Sequence, residues 1–170
     1  MIRYWKRRGS NIAKKTLVAV FSASGVTKRV GKEIARISGG DFFEIIPREI
    51  YTSDDLNWSN KNSRSSLEMN DPSARPEIVN AVQDMESYDT VIIGFPIWWG
   101  VAPRIIETFL ESYDFSGKTI VPFCTSGGSG VGRSDTALHK NVSGDVKWKK
   151  GVQINRPNER AIQKMLDAAL

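Results

Sequence analysis

The sequence predicts an α/β domain of the doubly wound kind, a five-stranded parallel sheet with helices packed on both faces. Three observations predict it. Apolar runs at residues 16–21, 89–95 and 119–124 are rich in β-branched side chains and too short for buried helices, so they read as strands. Segments with helical spacing at 25–37, 76–85, 103–112 and 157–170, each opening on glycine or proline, fall among them. The runs lack the in-out alternation of a half-solvated strand, as expected for a sheet covered on both sides.

Taken in order, residues 16–21 (Thr-Leu-Val-Ala-Val-Phe) form the first strand, and Gly25 opens the first helix. Residues 42–46 are a weaker second strand. Residues 51–75 make a long polar connection studded with turn residues, and a connection of that length in a compact domain is usually functional or mobile. Arg75-Pro76 opens the helix expected at 76–85, proline being at home in a first turn. Strand 89–95, helix 103–112 and strand 119–124 follow. A helix at 130–141, a short fifth strand at 150–154 and a closing helix at 157–170 complete the chain. There is no internal repeat and no low-complexity tract.

A chain of 170 residues suits one domain, and 40% hydrophobic with 25% charged residues is globular composition. No apolar run approaches the roughly 20 residues of a membrane span. The formal charge of +5 points to nucleic acid until its position is considered. Arg3, Lys6, Arg7, Arg8, Lys14 and Lys15 stand at the start with no acid among them. Removing those six from 24 basic residues leaves 18 against 19 acidic ones. The body is near neutral, so no nucleic-acid partner is expected, and residues 1–14 read as a basic extension ahead of a domain at 15–170. The apolar stretch after that start is too short for a signal peptide. With Cys124 as the sole cysteine, an intrachain disulfide or cysteine-cluster metal site is excluded, and a reducing cytoplasm fits.

In doubly wound sheets, ligands bind outside the carboxyl ends of the strands, so the loops after the strands are expected to carry the chemistry. After the first strand come Ser22, Ala23, Ser24, Gly25, Val26 and Thr27. The hydroxyls can donate to phosphate oxygens, Gly25 permits a tight turn, and the amides at the helix start add donors and a favourable dipole. Helix capping alone would also explain serine and threonine here. The kinase-type phosphate loop and the three-glycine dinucleotide fingerprint are both absent, which leaves a mononucleotide phosphate.

After the strand at 89–95 come Pro96, Ile97, Trp98, Trp99 and Gly100, with Pro103 closing the loop. Two adjacent tryptophans at a sheet edge suit a flat aromatic ligand better than a core, although a buried tryptophan with its N–H paired is the ordinary alternative. After the strand at 119–124 come Thr125, Ser126, Gly127 and Gly128. Small polar residues with glycines allow close backbone approach to the polar edge of a heteroaromatic ring; a plain flexible connection is the bland alternative.

These motifs resemble the flavodoxin superfamily, most closely its short bacterial flavodoxin-like members, over roughly residues 15–170. The resemblance rests on F-S-A-S-G-V-T-K at 21–28, D-P-S-A-R-P at 71–76, G-F-P-I-W-W-G-V-A-P at 94–103 and D-F-S-G-K-T-I-V-P-F-C-T-S-G-G-S-G at 114–130. It implies strand order 2-1-3-4-5 and non-covalent flavin mononucleotide (FMN), with the phosphate on Ser22, Ser24, Gly25, Val26 and Thr27. It also implies the isoalloxazine ring between the loop from Pro96 to Gly100 and the loop from Thr125 to Gly128, and electron transfer with redox partner proteins. Carrier flavodoxins sandwich the ring with an aromatic residue from the third of these loops and surround it with acids; here that loop has no aromatic residue and the body of the chain is nearly neutral. W-W-G-V-A-P is also similar to the ring loop of FMN-dependent quinone reductases, which implies the alternative of NAD(P)H and quinone as partners.

Tyr51 or Trp58 in the polar connection is a candidate to close the open ring face, or simply a packing or surface aromatic. Cys124 reads as a packed thiol. His139, without a second ligand or acid partner, takes no assigned role. Lys28 and Arg29 read as solvent-facing, and Arg75 as helix punctuation that the family pattern shares.

Overall fold

The computed structural model describes residues 14–142 and 144–170, so the basic extension expected at 1–14 lies, apart from Lys14, outside the described residues. Thr16–Val20 (β1), Thr90–Pro96 (β3) and Thr119–Thr125 (β4) form the middle of the sheet, with Asp41–Glu44 (β2) beside β1. Lys147–Trp148 (β5) and Val152–Gln153 (β6) lie one after the other along the far side of β4. All these pairings are parallel, and the order is 2-1-3-4-5 with its fifth position split.

Pro122 explains the split. Ile120 and Cys124 give their carbonyls to Lys149 and Ile154 on this edge, at 2.9 Å each. Pro122, two residues from both, faces the same way with no N–H to donate. Gly151 turns instead to Asp135, whose Oδ2 accepts its N–H at 2.8 Å. The strand expected at 150–154 is therefore only the second half of the fifth position.

Alternation along each strand divides the core between two faces. Val18, Val20, Ile92, Val121 and Phe123 pack against Val26–Ser38 (α1) and Glu159–Ala169 (α5). Leu17, Ala19, Phe21, Val91, Ile93 and Phe95 pack against Arg104–Glu111 (α3) and Ser134–His139 (α4).

Residues 76–85 are not the expected helix. Their backbone is spent on the chain that leaves β2: Arg48 N–H donates to Glu77, Val79 N–H to Ile46, and Pro47 and Ile78 form an isolated antiparallel bridge. Asn80 completes the tie, its amide oxygen accepting from Ile46 N–H and its Nδ2 donating to the Glu44 carbonyl. A short helix stands inside the polar connection instead, Arg64–Asn70 (α2), capped by Ser63 through the Ser66 N–H. The expected helix at 130–141 shrinks to α4, because Gly130 and Gly132 take φ of 65° and 61° ahead of it.

Candidate cofactor site at the carboxyl edge of the sheet

β1 ends against α1 through a loop whose glycine sets the geometry. Gly25 has φ of 92°, a value L side chains rarely adopt, and leads straight into the helix. No side chain caps α1 and no acid stands in its first turn. The Ser22 hydroxyl accepts the Gly25 N–H at 3.1 Å, so it orders the loop rather than capping the helix. Arg29 N–H is the first to bond back, to the Gly25 carbonyl. The amides of Val26, Thr27 and Lys28 therefore have no intrahelical acceptor, and Ser24, Gly25 and Val26 are exposed beside them. Lys28 is engaged by Glu44 at 2.7 Å.

The loop after β3 is a two-residue hairpin. Trp98 and Val101 exchange both backbone hydrogen bonds, and Trp99 and Gly100 between them have φ of 51° and 78°. That is a type I′ turn, ordinarily filled by Asn-Gly or Gly-Gly; tryptophan there costs about 1–2 kcal/mol of backbone strain. Strain of this kind concentrates at functional sites. The two tryptophans divide their roles. Trp98 packs edge-on against Phe21 and Tyr51, with centroids 5.8 and 5.3 Å away, while Trp99 at the apex is 47% exposed. The expectation of a loop free of core tryptophan thus holds for Trp99 only.

Backbone and hydroxyl contacts draw the three loops together. The Thr27 and Thr125 hydroxyls bond at 2.7 Å, Ile97 N–H donates to the Thr125 carbonyl at 3.0 Å, and Arg133 N–H donates to the Gly100 carbonyl at 2.9 Å. Ser126 spends its hydroxyl within its own loop, on Gly128 N–H and Ser129. Gly127 and Gly128 have open space around the missing Cβ.

A cavity of about 350 Å³ joins Ala23 and Ser24 to Pro96, Ile97, Trp98 and Trp99, with Leu56, Trp58 and Ser65 of the polar connection completing the lining. Of the expected site residues, Ser22, Gly25, Val26, Thr27, Gly100, Thr125, Ser126, Gly127 and Gly128 stay outside this lining, and the Thr125 loop adjoins it through Ile97, whose N–H donates to the Thr125 carbonyl. Leu56 and Ser65 carried no sequence signal; only contacts across the fold bring them here.

Tyr51 is a buried post under Trp98 rather than a ring cover. Its hydroxyl donates to Glu68, and the Arg64 guanidinium lies 3.9 Å from its ring centre. Burial first, then the Glu68 carboxylate, push its phenol far above the usual range. Trp58, 77% exposed, is the aromatic residue of the connection that reaches the cavity. Arg75 pairs with Glu107 and Glu111 at 2.9 Å each, a tie between the connection and α3. Cys124 is fully buried, and burial with the nearby Asp135 charge pushes its thiol up to about 12. His139 stacks on Trp148. Among the described residues no group of His, Cys, Asp and Glu could hold a metal, and no helix is long and apolar enough to cross a membrane.

The sequence pattern of the family described as Flavodoxin matches residues 15–168. The chain belongs to the flavodoxin family. Among solved flavodoxin-like structures, a candidate flavoprotein from Bacteroides eggerthii is 51% identical, with 91% of this chain and 97% of that one covered and a TM-score of 0.86. Another from Bacteroides uniformis is 44% identical, covering 91% and 98% with a TM-score of 0.84. A flavoprotein in complex with FMN from Lactobacillus acidophilus shares the flavodoxin fold at 24% identity, covering 91% and 99% with a TM-score of 0.61. No curated protein matches the chain.

Proposed function

We propose that this flavodoxin family member holds FMN without covalent attachment at the carboxyl edge of its sheet and transfers electrons with partner proteins. One observation carries the reading: the uncapped start of α1 and an aromatic cavity meet at Ser24. A phosphate dianion there would receive the Val26 and Thr27 amides and the Ser22 and Ser24 hydroxyls without any cation. Either hydroxyl can donate in the Thr27–Thr125 bond, and with Thr125 as the donor Thr27 has its own O–H to give the phosphate. Trp99 offers a flat wall for the ring, and Ser126, Gly127 and Gly128 leave room for backbone approach to its polar edge. When bound, FMN supplies the redox chemistry. The chain's residues orient it, shield it from water and fix which groups face its nitrogens. The Lactobacillus acidophilus complex supports the choice of cofactor. The domain on this reading is 15–170, preceded by a basic extension at 1–14, and the single buried thiol suits the cytoplasm.

FMN titration followed by flavin absorbance and fluorescence tests it. Ser24→Ala and Thr27→Val each remove one donor to a charged group, worth about 1.5–3 kcal/mol, so each should weaken binding at least about tenfold. Unchanged affinity in both, or a colourless protein in excess FMN, overturns the assignment.

The half-exposed Trp99 favours a second reading, an NAD(P)H-dependent FMN oxidoreductase whose small acceptor reaches the ring directly. Steady turnover of NADPH or NADH with a quinone at roughly 1–1000 per second would establish it, whereas slow oxidation alone leaves the carrier.

A further inference from the structure

Trp99 also walls a second cavity, of about 550 Å³, enclosed by the end of α2, the start of α3 and the two ends of α4. Its charge is one-sided. Arg104, Arg133 and Lys140 line it and no acid does. Arg104 is already committed, to Glu107 at 2.8 Å and to the Met69 carbonyl at 3.0 Å. Arg133 and Lys140 form an ion pair with no described residue, and both are exposed. Arg133 and Lys140 therefore stand together in this concavity with no acid in its lining to offset them.

Arg133 is tied to the turn that presents Trp99. Its amide donates to the Gly100 carbonyl at 2.9 Å, and a Cβ on the preceding Gly132 would stand 2.3 Å from that same oxygen. Only glycine lets the two loops approach this closely, with φ of 61° as a second requirement. The backbones that carry the indole and the guanidinium are thereby held at one rim.

We infer that this cavity is an anion site that takes a flat, negatively charged aromatic co-substrate, its ring against Trp99 and its carboxylate, sulfonate or phosphate between Arg133 and Lys140. The volume lies within the roughly 300–1,000 Å³ of small-molecule sites, which favours a small ligand over the flat face of a protein partner. The redox role of that ligand rests on the flavin reading, since Trp99 is the wall shared with the proposed ring site; the anion site itself does not.

Calorimetric titration with anthraquinone sulfonate and its neutral hydroxymethyl analogue tests the inference, on FMN-loaded and FMN-free full-length protein, with flavin absorbance recorded first. The sulfonate should bind about tenfold more tightly than the neutral analogue, a modest preference because both cations are exposed and screened by solvent. Arg133→Gln with Lys140→Gln should abolish that preference and leave FMN binding unchanged, while Arg133→Lys should retain it. Sulfonate binding in a protein that takes up no FMN would sink the flavin reading and uphold the anion site. Equal affinity for both quinones, no binding of either, insensitivity to the double substitution, or competition between the sulfonate and FMN would each overturn the inference.

Discussion

Replacing Trp99 with asparagine should separate cofactor affinity from stability. At 47% exposure, Trp99 buries about half of an aromatic side chain, or about 100 Å². At about 25 cal/mol per Å² its removal costs at most about 2.5 kcal/mol, and less because a denatured chain already buries part of that area. Against this, φ of 51° costs tryptophan about 1–2 kcal/mol that asparagine largely escapes, since Asn-Gly is the favoured type I′ pair. The two terms nearly cancel, so the unfolding free energy of the FMN-free protein in urea should change by no more than about 1 kcal/mol. FMN should bind at least about tenfold more weakly, the aromatic contact being worth about 0.5–1.5 kcal/mol beyond its area. Trp98→Asn should instead cost about 3 kcal/mol of stability, because its half-buried indole packs between Phe21 and Tyr51, and should weaken FMN binding as well through the turn it holds. A loss above about 3 kcal/mol in Trp99→Asn would make Trp99 a core residue and refute the division of roles. Unchanged FMN affinity would remove it from the site.

Gly94→Ala would set a methyl 2.2–2.3 Å from ring atoms of the fully buried Phe123, so denaturation should show a loss of about 3 kcal/mol, and an unmoved midpoint would contradict the packing. Gly132→Ala should part the loops after β3 and β4: the Arg133 amide should exchange with deuterium faster and FMN affinity should fall, and unchanged exchange would show that the Gly100 contact holds nothing. Alkaline pH should destabilise the fold, because Cys124 is raised from 9.0, and Tyr88 from 10.0, to about 12 each, chiefly by burial. The unfolded chain loses these protons first, so the stability they contribute is whole below pH 9 and is lost as pH rises to 12, by up to about 1.4 kcal/mol per unit and group. Cys124→Ala should flatten the fall from pH 9 upward, and an identical slope in the variant would refute a buried neutral thiol.

How far the fold was legible follows from how local each signal is. β1, β3 and β4 announce themselves because a strand buried on both faces has no polar position to hide in. The motif residues were legible as types: hydroxyls and glycine before α1, paired tryptophans after β3, glycines after β4. The helix expected at 76–85 failed because its pattern was read without β2's neighbourhood, where the Asn80 side chain and the Glu77 and Val79 backbone had other partners. α2 went unseen because seven residues give two turns at most, too few for a period to show. Its cap at Ser63 was the one available sign. The split of the fifth strand was written in Pro122, whose consequence depends on which edge its nitrogen faces.

The strain at Trp99 and the contacts on either side of it belong to one arrangement. A left-handed tryptophan would relax if its neighbours were free. They are not: Trp98 is wedged between Phe21 and Tyr51, Tyr51 is clamped by Glu68 and Arg64, and the Gly100 carbonyl is held by Arg133. Each clamp comes from a different stretch of chain, so the turn's shape is imposed by the folded whole rather than by its four residues. Such a turn is ordered before any ligand arrives, and the conformational entropy of placing the indole is met during folding instead of subtracting from affinity. The Thr27–Thr125 bond, across 98 residues of sequence, does the same for the start of α1 and the glycine-rich loop. Cofactor affinity should therefore depend on residues that touch no cofactor, Tyr51 and Arg64 foremost, because they hold Trp98 and through it the turn.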